Sequence, residues 1–137
     1  IVYSLNIIKI LTPENQINHK IYELLKILFN ILNQEKWIRK FILWELELFK
    51  SLGYELNFLD YSVTKSIDGI NEFVLKNDQN KIIPKFLIDK EITDVDTSDL
   101  LSALNIIGDF LTKSILYENN ISVPESRNDL INQIKHL

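Results

Sequence analysis

Cysteine is absent from the 137 residues, which removes disulfides, thiolate zinc sites, iron–sulfur clusters and cysteine nucleophiles whatever the redox compartment. Histidine is scarce: His19 and His136 stand at a helix start and near the C-terminus, with no His, Cys or carboxylate at ligand spacing. Both read as surface residues, and neither a metal nor a cofactor is expected. The three glycines, Gly53, Gly69 and Gly108, are scattered singly. A phosphate-cradling loop needs them clustered, so P-loop and Rossmann nucleotide sites are excluded. No run approaches the roughly 18 consecutive apolar residues of a membrane span. Positive charge is short as well, since the formal net charge is −4 and gives no global attraction to a phosphate backbone. Any nucleic-acid contact must be local or shared with another part of a longer protein. Residue 1 is Ile, in a stretch with neither an initiator Met nor the basic start and small-residue cleavage site of a signal peptide, and the chain reads as a fragment of something larger.

What is present is ordinary for a folded domain: 46% apolar and 25% charged residues over 137 positions, enough for one core but not two. Ile, Asn and Lys supply 22, 14 and 13 residues, a bias of codon drift that strips Asn-rich surfaces of functional meaning. Residues 1 to 11 read as an apolar helix ending at Thr12-Pro13, because proline disfavours helical geometry in its predecessor. Asn18 can cap a second helix, with Ile21, Leu24, Leu25, Leu28, Ile31 and Leu32 at three and four spacing. A third runs from about Glu35 to Leu52 and stops at Gly53, the residue best able to take a left-handed C-terminal position. Strand-like runs at Glu72–Leu75 and Lys81–Ile83 flank the polar turn Asn77-Asp78-Gln79-Asn80 and predict a small hairpin leaning on the helices. Thr97 or Ser98 opens a fourth helix reaching about Tyr117, closed by Glu118-Asn119-Asn120. Ser122-Val123-Pro124-Glu125 has the form of a capping box opening a fifth. The expected fold is mainly α: a single helical domain of about five helices with a small β-hairpin insertion between the third and fourth.

The third helix carries the most information. At 100° per residue, Trp37, Ile38, Phe41, Ile42, Trp44, Leu46, Leu48, Phe49 and Leu52 cover an arc of roughly 200°, twice what a surface helix needs. This helix should be central. Glu45 falls inside the arc, and a buried carboxylate must meet a cation, a helix N-terminus or a proton. Lys113, Arg127 and the start of the last helix are candidates, with Arg127 favoured because guanidinium tolerates burial best. Glu45 reaching solvent at a helix edge, or serving as a general acid, are the alternatives; no second ionisable residue is patterned beside it for the latter. Trp37 and Trp44 share one face and read as core, with stacking of unpaired bases as the other option. In the fourth helix Leu100, Ala103, Leu104, Ile107, Phe110, Leu111 and Ile115 form the buried stripe, and Gly108 beside it implies close approach of another backbone, or tolerated drift. The acids of residues 89–99 lack the glycine and terminal glutamate of a calcium loop and read as a solvated linker whose Asp96 and Asp99 favour the next helix start. No nucleophile, base and oxyanion site assembles, so the chain is not expected to be an enzyme.

The segment Trp44 to Phe58, WELELFKSLGYELNF, resembles the signature of the C-terminal helical domain of RecO, the bacterial recombination mediator. Further matches follow in order: Thr12-Pro13-Glu14, Ile21-Tyr22-Glu23-Leu24-Leu25, Ile107-Gly108-Asp109-Phe110-Leu111, and Pro124 to Arg127. Tyr61-Ser62-Val63-Thr64 sits where many members carry a Cys-x-x-Cys or Cys-x-x-Thr, so the resemblance implies a zinc-free form, with Tyr61 and Thr64 at the metal-ligating positions. Members begin with an oligonucleotide-binding barrel, and residues 1–137 supply none of its five strands; the chain is therefore expected to be the helical domain alone.

The resemblance implies a cytoplasmic, nucleoid-associated accessory protein of DNA repair and homologous recombination. Its partners would be RecR, the acidic tail of the single-strand DNA-binding protein, single-strand DNA mainly through the absent barrel, and RecA indirectly through loading. An acidic, hydrophobic-ended tail needs a shallow apolar pocket rimmed by cations. Lys36, Arg39, Lys40 and Lys50 on the outer strip of the third helix are candidates for that rim, an ordinary solvated face being the other reading. Two competing functions stand beside it: a stand-alone helical interaction domain, regulatory or scaffold, without DNA binding, and a hydrolase, which would need a cleft holding Glu45 with a second acid.

Overall fold

A computed structural model of the chain describes residues 1–11, 19–116 and 121–136. The motif Thr12-Pro13-Glu14, the Asn18 cap, and the helix end at Tyr117 with Glu118-Asn119-Asn120 lie outside them. In chain order the described elements are helices α1 (Val2–Leu11), α2 (His19–Leu32) and α3 (Trp37–Ser51), strands β1 (Ser62–Ile67), β2 (Ile70–Leu75) and β3 (Asp78–Ile82), a 3-10 turn at Lys85–Leu87, α4 (Thr97–Phe110), a π-helical turn at Leu111–Leu116, and α5 (Glu125–Lys135). No helix among the described residues is long and apolar enough to cross a membrane.

Helix α3 is the axis of the core. Ile38, Phe41, Ile42, Trp44, Leu48 and Phe49 are all buried on it, because an apolar arc this wide can be covered only by neighbours on several sides. Phe41 stacks on Trp44 with ring centroids 5.8 Å apart and meets Tyr3 and Trp37 edge-on. The Trp44 indole donates to the Leu24 carbonyl of α2 at 2.7 Å, satisfying its only polar group inside the core. Both tryptophans are thus packed side chains; Trp44 is fully buried and Trp37 half so. At the C-terminus Gly53 takes φ 94°, its N–H bonds the Lys50 carbonyl at 3.1 Å and that of Tyr54 bonds Phe49 at 2.8 Å. That paired closure is the Schellman arrangement a left-handed glycine permits.

The small hairpin expected between the third and fourth helices is instead a three-stranded antiparallel sheet of order β1-β2-β3. The first strand was invisible to apolar alternation because SVTKSI is mostly polar. Its turn was nonetheless encoded: Asp68 and Gly69 have φ 51° and 80°, and Ile67 pairs with Ile70 across them, the two-residue loop that Asp-Gly favours. The expected turn at Asn77 to Asn80 is also displaced. Leu75 pairs with Asp78, with a bulge between Val74 and Leu75, so Lys76-Asn77 turns and Asp78, Gln79 and Asn80 enter an edge strand. There every residue is exposed, and polar side chains incur no desolvation cost.

Two other boundaries differ, those of α3 and α5, while α4 opens at Thr97 as expected. Helix α3 begins at Trp37 behind a left-handed Lys36 (φ 54°), two residues after Glu35. Helix α4 is capped by Asp96, whose side chain accepts from the Asp99 N–H at 2.8 Å, and it passes into the π turn after Phe110. The Ser122–Glu125 capping box does not form: α5 starts at Glu125 with Pro124 in the cap position and no side-chain cap bond. Ser122 is then two residues too early to reach the free N–H groups. Since Gly69 occupies left-handed space with nothing within 4 Å of a built Cβ, Gly69→Ala should cost about 1 kcal/mol from backbone strain alone. Gly69→Asn should cost less, and urea unfolding of the two variants measures both.

Candidate functional site

Two regions gather functional side chains. In the interior, Glu45 is completely buried and Arg127 of α5 is 2% exposed. Arg127 Nη1 donates to both carboxylate oxygens at 2.9 and 2.7 Å and to the Tyr3 hydroxyl at 2.9 Å, while Nη2 donates to the Leu104 carbonyl at 2.8 Å. The guanidinium therefore ties α1, α3, α4 and α5 together. Burial alone would lower its pKa; the Glu45 charge and the bonds to Glu45 and Tyr3 outweigh that and hold it above the ordinary arginine value. Burial first, then the Glu45 charge, pushes the Tyr3 hydroxyl well above the ordinary tyrosine value.

Gly108 belongs to this cluster in a way the sequence did not indicate. The close approach is made by a side chain and not by a second backbone: a Cβ at Gly108 would stand 3.2 Å from Arg127 Nε. Nε itself has no hydrogen-bond partner. Among the described residues Lys113 is exposed, and Arg127 is the cation that meets Glu45. Tyr3 is the member that sequence reasoning missed. Its only signal was a hydroxyl on the buried face of an apolar helix.

The cationic strip of α3 is largely occupied. Arg39 Nε donates to the Ile92 carbonyl at 2.9 Å and Nη2 to that of Lys90, pinning the linker before α4. Lys40 bonds the Gln34 side chain, and Lys50 faces Glu55 at 3.8 Å. Lys36 is exposed beside a shallow cavity of about 200 Å³ floored by Ile38 and Leu100. Among the described residues the strip thus offers one cation, Lys36, without a side-chain partner.

A larger cavity, about 440 Å³, opens between the sheet and α4. Leu56, Phe58, Leu75, Ile106 and Phe110 supply its apolar surface, and Lys76, Lys81 and Lys113 stand at its margin with Asp78 and Asp109. Lys81 is paired with Asp109 at 2.5 Å. Lys76 and Lys113 form no ion pair among the described residues. Lys113 and Ser114 reach the cavity from the π turn, a helical irregularity common at functional sites because it redirects side chains. Tyr61, which the sequence resemblance set at a metal-ligating position, is a half-exposed wall of this cavity. Thr64 pairs with Phe73 in the sheet. Apolar surface, free lysines and an adjustable turn suit a peptide with negative charge and an apolar side chain.

A family model described as recombination protein O C terminal matches residues 1–115. The chain belongs to this family. It is accordingly a RecO-related protein of DNA recombination and repair. No curated protein and no solved structure matches the chain. The RecO match takes in α1 to the π turn, and therefore both walls of the larger cavity. Arg127 lies beyond the matched residues, yet it closes the core that the RecO segment builds.

Removing one partner of a fully buried pair leaves an uncompensated charge, so Arg127→Met or Glu45→Leu should cost about 3–5 kcal/mol, a fall of about 10–15 °C in Tm. The double variant Glu45→Leu/Arg127→Met should lose far less than the two added together, which thermal melts of all three variants measure. Because the folded-state pKa of Tyr3 is raised, its contribution is fully present below about pH 10 and is lost as pH rises beyond the unfolded value. Stability measured by urea should therefore fall less steeply above pH 10 in Tyr3→Phe than in the unmodified chain.

Proposed function

We propose that this chain is the partner-docking module of a RecO-type recombination mediator, acting by binding and not by catalysis. The observation that carries the reading is the cavity between the sheet and α4, where an apolar floor sits under two lysines that form no ion pair among the described residues, in a RecO-family chain. Its occupant in this reading is the acidic, apolar-ended tail of the single-strand DNA-binding protein. The terminal side chain enters the floor, and the tail's carboxylates meet Lys76 and Lys113. This site is favoured over the α3 strip because it joins an apolar floor to lysines from two elements, whereas Arg39 is held by two carbonyls of the linker before α4.

Single-strand DNA is held in this reading mainly by an oligonucleotide-binding barrel, a fold that the described residues do not form. The net charge of −4 supports that division of labour. Strand annealing, association with RecR and assistance to RecA loading belong in this reading to the whole protein, working in the cytoplasm at the nucleoid. The sequence positions of zinc-bearing relatives are filled by Tyr61 and Thr64, so the module works without a metal.

Fluorescence anisotropy with a labelled acidic peptide ending in an apolar residue and a free carboxylate tests the docking. Phe110→Asp and Lys113→Glu should each weaken binding about tenfold, or about 1.4 kcal/mol. An Arg39→Glu/Lys40→Glu variant should bind as the unmodified chain does. The reverse pattern would move the docking site to α3, and no binding by any form would refute the reading.

A further inference from the structure

The third lysine of the cavity margin is not free, and its partner comes from the opposite wall. Lys81 projects from the edge strand β3 and its Nζ lies 2.5 Å from Asp109 Oδ2 on α4, 28 residues further along the chain. The pair spans the gap between the sheet and the helix. Both side chains are close to half exposed, so the contact is the surface kind that contributes little to stability and is readily exchanged. Its geometry is a lysine held over an apolar cavity by a single carboxylate. A peptide carboxylate arriving at that cavity would offer Lys81 the same chemistry.

From this we infer that Asp109 is an internal stand-in for the ligand's carboxylate: it occupies Lys81 while the cavity is empty and is displaced when an acidic, apolar-ended peptide enters. The inference rests on the docking reading above and adds the residue that sets its selectivity. A ligand with an apolar end and no carboxylate gives Lys81 nothing in exchange for Asp109 and meets a margin still crossed by the ion pair. A ligand with both exchanges one carboxylate for another at little electrostatic cost and gains the apolar floor. Asp109 therefore lowers affinity for every ligand that must displace it, and Lys81 returns that loss only to a ligand that brings a carboxylate of its own. The acid beside Lys81 raises its pKa, first through the hydrogen bond and then through its charge, in keeping with a lysine already engaged in the empty state. The Asp78 charge adds a weaker attraction on Lys81, but its side chain accepts from the Asn80 N–H at 3.3 Å and Asp109 is the acid in hydrogen-bond contact with Lys81.

The test is a double-variant cycle on the full chain, with the acidic peptide and the same peptide carrying a C-terminal amide. Asp109→Asn should tighten the acidic peptide about fivefold, the effect of no longer having to break one ion pair of about 1 kcal/mol in a watery setting. Lys81→Gln should weaken it and shrink the preference for carboxylate over amide. In the Lys81→Gln background Asp109→Asn should have almost no effect, because its action runs through Lys81. An Asp109→Asn effect of equal size in both backgrounds would mean bulk repulsion and overturn the inference. So would unchanged or weaker binding by Asp109→Asn alone. Binding that is lost in Phe110→Asp yet indifferent to Asp109→Asn would overturn this inference and leave the docking site standing. Absence of binding to every form would remove both. Thermal melts of Lys81→Gln and Asp109→Asn should match the unmodified chain, which keeps folding defects out of the comparison.

Discussion

A guanidinium can lie in the middle of four helices only if nearly every donor finds an acceptor there, and this requirement organises the molecule. Arg127 reaches the Glu45 carboxylate, the Tyr3 hydroxyl and the Leu104 carbonyl from one side chain. Desolvating either ion alone would cost several kcal/mol. Any packing that separates α5 from α3 therefore strands two charges away from water. Set against an apolar replacement of equal volume such a pair adds little net stability. Its effect is on arrangement: the registers of α1, α3, α4 and α5 are coupled through one planar group. Gly108 follows from the same constraint, because Arg127 Nε occupies the place where a side chain would begin.

Interior charge and surface charge then divide the work. Both arginines of the chain are consumed structurally, Arg127 in the core and Arg39 on the carbonyls of the linker before α4. Three of the lysines, Lys76, Lys81 and Lys113, stand around the cavity where the sheet abuts α4. The π turn at Leu111–Leu116 contributes by pointing Lys113 and Ser114 at the cavity while Leu111, Ile115 and Leu116 stay buried. A rigid wall of packed helix thus faces an exposed edge strand, joined across the gap by Lys81 and Asp109. That edge strand is polar and exposed throughout, a composition that disfavours edge-to-edge pairing.

The helices were legible because their signals are local. Apolar residues at three and four spacing mark α2 and α4, and the wide arc of α3 already implied a central helix with a charge in its interior. Gly53 announced the end of α3 through backbone geometry that only glycine adopts freely. The sheet was harder to read: β1 is polar and β3 is exposed throughout, so neither shows the alternation that a buried face imposes. Asp68-Gly69 was the usable sign of a hairpin there. The capping box failed for a reason of register, since Pro124 stands in the cap position and leaves Ser122 out of reach.

Sequence alone determined that the chain is mostly helical, that α3 must be covered on several sides, that Glu45 needs a partner and that cysteine chemistry is closed to it. Each of these depends on residue type or on spacing within one helix. Which of several cations meets Glu45, that Tyr3 and Gly108 belong to the same cluster, and that lysines from a sheet and a helix share one cavity were decided by tertiary structure. Those relations join residues up to 124 positions apart, and distance along a chain carries no periodicity from which such a meeting can be read.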